Sequence, residues 1–256
     1  MKPSRGNKNN VCPKCKGLGV IFTDKGAYKC ECQYRFNIGK YLNIPPRYWK
    51  ADLEKAKKNV QNKAQLEGYL EKLKNNLQSG RGLLIVGPPG TGKTYFAAAL
   101  LKEIYKKYRL RGLFFQTKEL LIKAKEAAAK NQLSRFLDLV SRIPVLVLDD
   151  LGNEYLSEWD ADILYLILNR RYNHRKPTII TTNYVPSYHK EEEKNNLQKE
   201  KQNKELQKEE NATSSQWLDD RISPALVSRL KEMTLYVPLL GEDKRKRKIL
   251  LNGYPL

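Results

Sequence analysis

The sequence predicts an α/β fold with helices on both faces of a central parallel sheet, preceded by a small metal-binding module. Three observations predict the sheet. The apolar runs Leu83–Val86, Val145–Leu148 and Thr178–Ile180 each end at once in a polar cluster: Gly87–Thr94, Asp149-Asp150 and Thr181–Asn183. Short apolar runs bounded by turn residues read as strands buried on both faces. Polar residues at the carboxyl ends of such strands line the crevice where open α/β sheets bind ligands.

The bounds come from composition. A chain of 256 residues with 40% hydrophobic content can bury one α/β core and still carry a small module. The net charge is +20, and the first fifty residues hold 11 Lys and Arg against 2 Asp and Glu. Such an excess favours a polyanionic partner such as nucleic acid, although it also suits a lysine-rich solvated surface. No run of about twenty apolar residues could cross a bilayer, and the opening MKPSRGNKNN leads into no apolar signal core. The expectation is a cytoplasmic protein with no membrane partner, a setting in which disulfides seldom persist.

All four cysteines lie in the first of the units, residues 1–42. Cys12-Pro-Lys-Cys15 and Cys30-Glu-Cys32 form two close thiol pairs, with Gly17 and Gly19 after the first. Two such pairs suit a tetrahedral Zn²⁺ site of four thiolates. Loops this polar cannot pack a core, and structural zinc supplies roughly 10–16 kcal/mol to comparable peptides. Tyr28, Tyr34, Phe36 and Tyr41 interleave with Lys29, Arg35 and Lys40. That mixture serves base stacking and phosphate contact, a thin module core or a protein-docking face equally well. Residues 43–80 read as a connector, with a polar helical stretch from about Ala51 to Gln78 ended by Ser79-Gly80.

The third unit, residues 81–187, carries the chemistry. Gly87-Pro88-Pro89-Gly90-Thr91-Gly92-Lys93-Thr94, followed by Tyr95, matches the full phosphate-loop pattern directly after a strand. Glycines allow the tight turn that aims backbone N–H groups at phosphates, and the following helix adds its positive end. Lys93 is expected to reach the β- and γ-phosphates of ATP, and the Thr94 hydroxyl to bind Mg²⁺. Phe96, Leu100, Leu101, Ile104, Tyr105 and Tyr108 fall on one face of that helix. A second strand is expected at Leu113–Phe115. Asp149 is expected to hold the Mg²⁺ shell, and Asp150 to orient or deprotonate the attacking water. Asn183 would touch the γ-phosphate or its water.

Taken in order, the phosphate loop, LDDLGNE, TTNY, RISPALVSRLKEM and GEDKR, together with CPKC, CEC and NIPPRYWKADLE, resemble bacterial replicative-helicase loaders of the DnaC/DnaI type. The resemblance runs from about Val11 to Lys248 apart from one insert. It implies a three-layer AAA+ ATPase that self-associates and places a DnaB-type helicase on single-stranded DNA. IstB-like transposition helpers share most of these motifs. By position, Arg229 is similar to the finger that reaches a neighbouring subunit's γ-phosphate, and Arg245 to the sensor-2 arginine that contacts the nucleotide. Arg221 is a second basic candidate, and a surface ion pair is the plain alternative for each. Ser157 and Trp159 fall where this family lines its DNA channel, and Trp159 equally suits a core anchor. His174 and His189 have no ligand-spaced partners.

The last two units are residues 188–216, a charged insert, and 217–256, the end of the core with Arg229 and Arg245. Between Lys190 and Glu210 there are six Lys, seven Glu and two Leu, too little apolar area to order the segment by itself. Asp150 stands where related ATPases carry a Glu one methylene longer.

Overall fold

A computed structural model describes residues 15, 16, 18, 20–23, 26–30, 38–153, 155–189, 217–241 and 243. Residues 190–216 of the charged insert, Cys12, Cys32 and Arg245 lie outside the described residues. The first element is an antiparallel hairpin of β1 (Val20–Thr23) and β2 (Gly26–Lys29), paired from Val20↔Lys29 to Thr23↔Gly26.

Where one polar helical stretch was expected between 51 and 78, the chain forms three short helices: α1 (Leu53–Lys57), α2 (Lys63–Glu71) and α3 (Leu73–Gln78). Asp52 caps α1 by accepting from the Lys55 N–H at 2.9 Å. The breaks follow from packing, because Ala56, Val60, Leu66, Tyr69, Leu73 and Leu77 are all buried against the sheet. One straight helix could not turn all six inward. The connector is thus part of the core.

The sheet comprises β3 (Gly82–Val86), β4 (Gly112–Gln116), β5 (Val145–Leu151), β6 (Thr178–Thr182) and β7 (Thr234–Pro238) in the spatial order β4-β5-β6-β3-β7, with every pairing parallel. The strand β7 has no counterpart among the sequence expectations, since LYVP is too short to distinguish from a loop by periodicity. The connecting helices are α4 (Lys93–Tyr108), α5 (Thr117–Ala129), α6 (Leu133–Arg142), α7 (Glu158–Asn173) and α8 (Pro224–Met233).

Strand residues alternate between two buried layers, as the pleat requires. Leu83, Ile85, Val145, Val147 and Ile179 join Phe96, Leu100, Leu101 and Ile104 of α4 and the segment 38–78. Leu84, Val86, Leu146, Leu148 and Ile180 join α5, α6, α7 and α8. The result is the expected layered α/β architecture, with every strand ending toward one crevice. No helix among the described residues is long and apolar enough to cross a membrane.

Each layer also holds a cation buried among backbone carbonyls. Lys102, 9% exposed, donates to the carbonyls of Trp49 and Ala51, the latter at 2.8 Å. Arg171, fully buried, donates to the carbonyls of Val140 (2.8 Å), Ile143 (2.9 Å) and Pro177 (2.7 Å) and to the Thr178 hydroxyl (2.9 Å). Backbone oxygens here take the place of a counter-ion.

Candidate nucleotide site

The site begins where β3 ends. The loop from Gly87 through Pro88, Pro89, Gly90, Thr91 and Gly92 leads into α4, with Gly90 at φ 82° and Gly92 at φ 104°. Those left-handed values are open to glycine and strained for other residues, which accounts for the spacing of the motif. Thr91 Oγ1 donates to the Pro88 carbonyl at 2.9 Å and pins the turn. Lys93, first residue of α4 and 7% exposed, donates from Nζ to the carbonyls of Gly87 (2.7 Å) and Pro88 (2.9 Å). Its charge is therefore held inside the loop. Tyr95 accepts from the Asp52 N–H at 3.0 Å.

At the end of β5, Asp149 is 2% exposed. Its Oδ2 accepts from Thr94 Oγ1 at 3.2 Å, and its Oδ1 from Thr181 Oγ1 at 2.6 Å. Thr117 donates to its backbone carbonyl at 3.0 Å. Burial pushes the carboxyl up to about 6, against the opposing pull of the Thr181 and Thr94 hydrogen bonds. The next residue sits in a β-bulge. Leu148 pairs with Ile180 but Leu151 pairs with Thr182, so two residues of β5 face Thr181 alone. The bulge turns Asp150 to φ 63°, with its N–H on Thr181 Oγ1 at 2.9 Å and its carboxylate accepting from Asn153 at 3.1 Å. A bulge re-aims a side chain, and here it separates two adjacent carboxylates into a buried and a more open one. Asn183 stands half-buried just past β6, whose end is fixed by the Thr182 hydroxyl on the Leu151 carbonyl at 2.7 Å.

These residues fit Mg-ATP. The Thr94 hydroxyl gives its proton to Asp149, which leaves its oxygen lone pairs for a cation, and Asp149 brings the matching negative charge. The glycine turn and the start of α4 supply N–H groups for the phosphates.

The other candidates have definite places. Ser157 is the N-cap of α7 in a capping box with Asp160, its Oγ donating to Asp160 Oδ2 at 2.6 Å. Trp159 packs partly buried against the second layer, with Lys125 Nζ 5.6 Å from its ring centre, and Lys125 also pairs with Asp160 at 2.8 Å. Arg229 lies on α8, its Nε donating to Asn169 at 2.8 Å and its guanidinium 5.1 Å from the Tyr165 ring. Cys15 and Cys30 are buried side by side with Ile21 packed on them, and no group of three or more metal-binding side chains occurs among the described residues. His189 stacks on Tyr236 at 3.8 Å, a packing role. Sequence reasoning gave no role to Thr181 or Thr117; strand register sets Thr181 opposite the bulge, and the start of α5 brings Thr117 to the Asp149 carbonyl.

Four likenesses bear on identity. Residues 54–192 match the family model described as IstB-like ATP binding protein. The chain is 30% identical over 113 residues to the replicative helicase loader DnaI of Bacillus subtilis (strain 168), a match covering 44% of this chain and 36% of that one. It is 34% identical over 107 residues to the insertion sequence IS21 putative ATP-binding protein of Pseudomonas aeruginosa, covering 41% and 39%. The matched region thus spans well under half the length of both curated relatives. A crystal structure of the DnaC helicase loader superposes with a TM-score of 0.58 at 34% identity, over 77% of this chain and 100% of that chain. With the phosphate loop, the Asp149 shell and the β4-β5-β6-β3-β7 sheet already in place, the chain belongs to the IstB-like ATP-binding proteins and has the nucleotide site of an AAA+ P-loop ATPase.

Proposed function

We propose that the protein hydrolyses ATP at an inter-subunit site and uses it to load a DnaB-type replicative helicase onto single-stranded DNA in the cytoplasm. One observation carries the hydrolytic part: Asp149 is buried against both Thr94 and Thr181, an arrangement that suits a shared divalent ion. ATP and Mg²⁺ together supply the transferable phosphoryl group and the charge that polarises it. Lys93 holds the phosphates, Asp150 orients the water from its more open position, and Asn183 steadies the same edge. Arg229 acts from a neighbouring subunit, and Arg245 contacts the nucleotide of its own chain.

The loader role draws support from the likeness to the DnaC loader along that structure's whole length. Cys12, Cys15, Cys30 and Cys32 hold zinc, a role supported by the burial of Cys15 against Cys30. The zinc module docks the helicase. Single-stranded DNA runs past Ser157 and Trp159, where Lys125 lies over the indole ring.

A second reading, an ATPase helper of DNA transposition, is favoured by the 34% identity to the IS21 protein. Affinity capture of the purified chain with ATP and Mg²⁺ separates the two. Recovery of the cognate replicative helicase in stoichiometric amount is expected. Recovery of a transposase without helicase replaces the loader reading with the second one.

A further inference from the structure

The loop between β5 and α7 presents Tyr155 with 96% of its surface exposed. Nothing in the fold requires an aromatic ring there. Its described neighbour is Arg221, whose guanidinium carbon lies 5.5 Å from the Tyr155 ring centre and 4.7 Å from that of Tyr184. Arg221 Nε is buried and has no hydrogen-bond partner among the described residues. Arginine in such a position is normally matched by an acceptor.

Three separate segments converge to make this stack. Tyr155 follows the Asp149-Asp150 strand, Tyr184 follows Asn183, and Arg221 follows the turn Leu218–Asp220. Gly152, at φ 83°, lets them meet. A Cβ there would come within 3.2 Å of the Tyr184 ring and 3.3 Å of Arg221 and Leu218. Any side chain there would be tight against all three and strained at that φ, so glycine lets the loop lie against the stack.

We infer that Tyr155 and Arg221 form a stacking site for a base of single-stranded nucleic acid, beyond Ser157 and Trp159. An exposed ring over a guanidinium offers one open π-face and a positive charge at its back, which matches a base and its flanking phosphate. The arrangement also has a counterpart beside it: Trp159 stands four residues on with Lys125 over its ring at 5.6 Å. Two ring–cation pairs, one just before α7 and one in its first turn, in a chain of net charge +20, suit contact with successive nucleotides. Through Tyr184 the Arg221 side chain also touches the residue next to Asn183, so an occupied stack lies against the strand end that faces the nucleotide. The inference rests on the proposed single-stranded DNA contact and makes it specific.

The test is fluorescence anisotropy of a labelled oligo-dT with the full chain, Mg²⁺ and a non-hydrolysable ATP analogue. Tyr155→Ala is expected to weaken binding by about tenfold, the scale of one lost base–ring contact. Tyr155→Trp is expected to restore it, and Arg221→Lys to weaken it several-fold by replacing a planar cation with a point charge. Basal ATP hydrolysis and the thermal midpoint of Tyr155→Ala are expected to match wild type. Unchanged affinity of Tyr155→Ala, beside measurable wild-type binding, overturns the stacking site and leaves the DNA reading standing. Absence of binding by the wild-type chain overturns both.

Discussion

Asp149 and Tyr155 belong to the same strand-to-helix passage and live in opposite conditions. Asp149 is 2% exposed, with both carboxylate oxygens engaged, whereas Tyr155 is 96% exposed. The interior half of the site is buried and held by hydrogen bonds, which suits groups that must not reorganise during phosphoryl chemistry. The outer edge keeps the Tyr155 ring in water beside the Arg221 guanidinium. Only six positions separate the buried carboxylate in β5 from the exposed ring in the loop after it, and on the proposed reading that short passage joins chemistry to recognition.

The sharpest way to break this division is Arg229→Ala. If Arg229 acts on a neighbour's nucleotide, DNA-stimulated hydrolysis falls by roughly 10³-fold or more while ATP affinity, read by calorimetry, stays near wild type. Loss of both together would move Arg229 into the architecture of its own subunit, where Asn169 and Tyr165 already hold it.

A smaller effect is expected inside. Thr181→Val keeps the shape of the strand but removes the hydroxyl that serves Asp149 and the Asp150 N–H. Supporting groups around a metal ligand are worth about 10–100-fold in affinity or activity. Titration of Mg²⁺ into the nucleotide complex measures that loss, and an unchanged affinity would show that the interior tolerates an orphaned carboxylate.

The mildest effect is one of pH. With the Asp149 carboxyl at about 6, the Mg²⁺-dependent part of nucleotide affinity is expected to fall as pH drops below that value, by at most about tenfold per unit. Affinity measured in excess chelator is expected to lack the drop. Stability carries the opposite sign: the folded state holds the extra proton, so this group favours folding below its ordinary value of 3.8, and that contribution is lost as pH rises through about 6. Thermal midpoints of the nucleotide-free protein across that window read it directly.

What sequence could reveal follows the same division. The glycine spacing of residues 87–92 and the two carboxylates at the end of an apolar run are local, so the loop, β3, α4 and β5 were all legible. Thr181 was not, because a threonine in a strand is ordinary until register sets it opposite a bulge. Arg171 on a helix reads as surface, yet it is wholly buried among carbonyls from two separate stretches of chain, the end of α6 and Pro177. The segment 51–78 gave composition without period, and its division into α1, α2 and α3 was decided by the sheet it packs on. Tyr155 is anonymous in sequence, and only its exposure beside Arg221 draws notice.

Lys102 joins α4 to the carbonyls of Trp49 and Ala51, Tyr95 meets the Asp52 N–H, and Asn59 reaches the Thr91 carbonyl at 3.4 Å. These links leave residues 49–59 little slack over the phosphate loop. Mechanically the segment is a short rein: four hydrogen bonds tie it to α4 and the phosphate loop, so a displacement of residues 49–59 would pull on that loop directly.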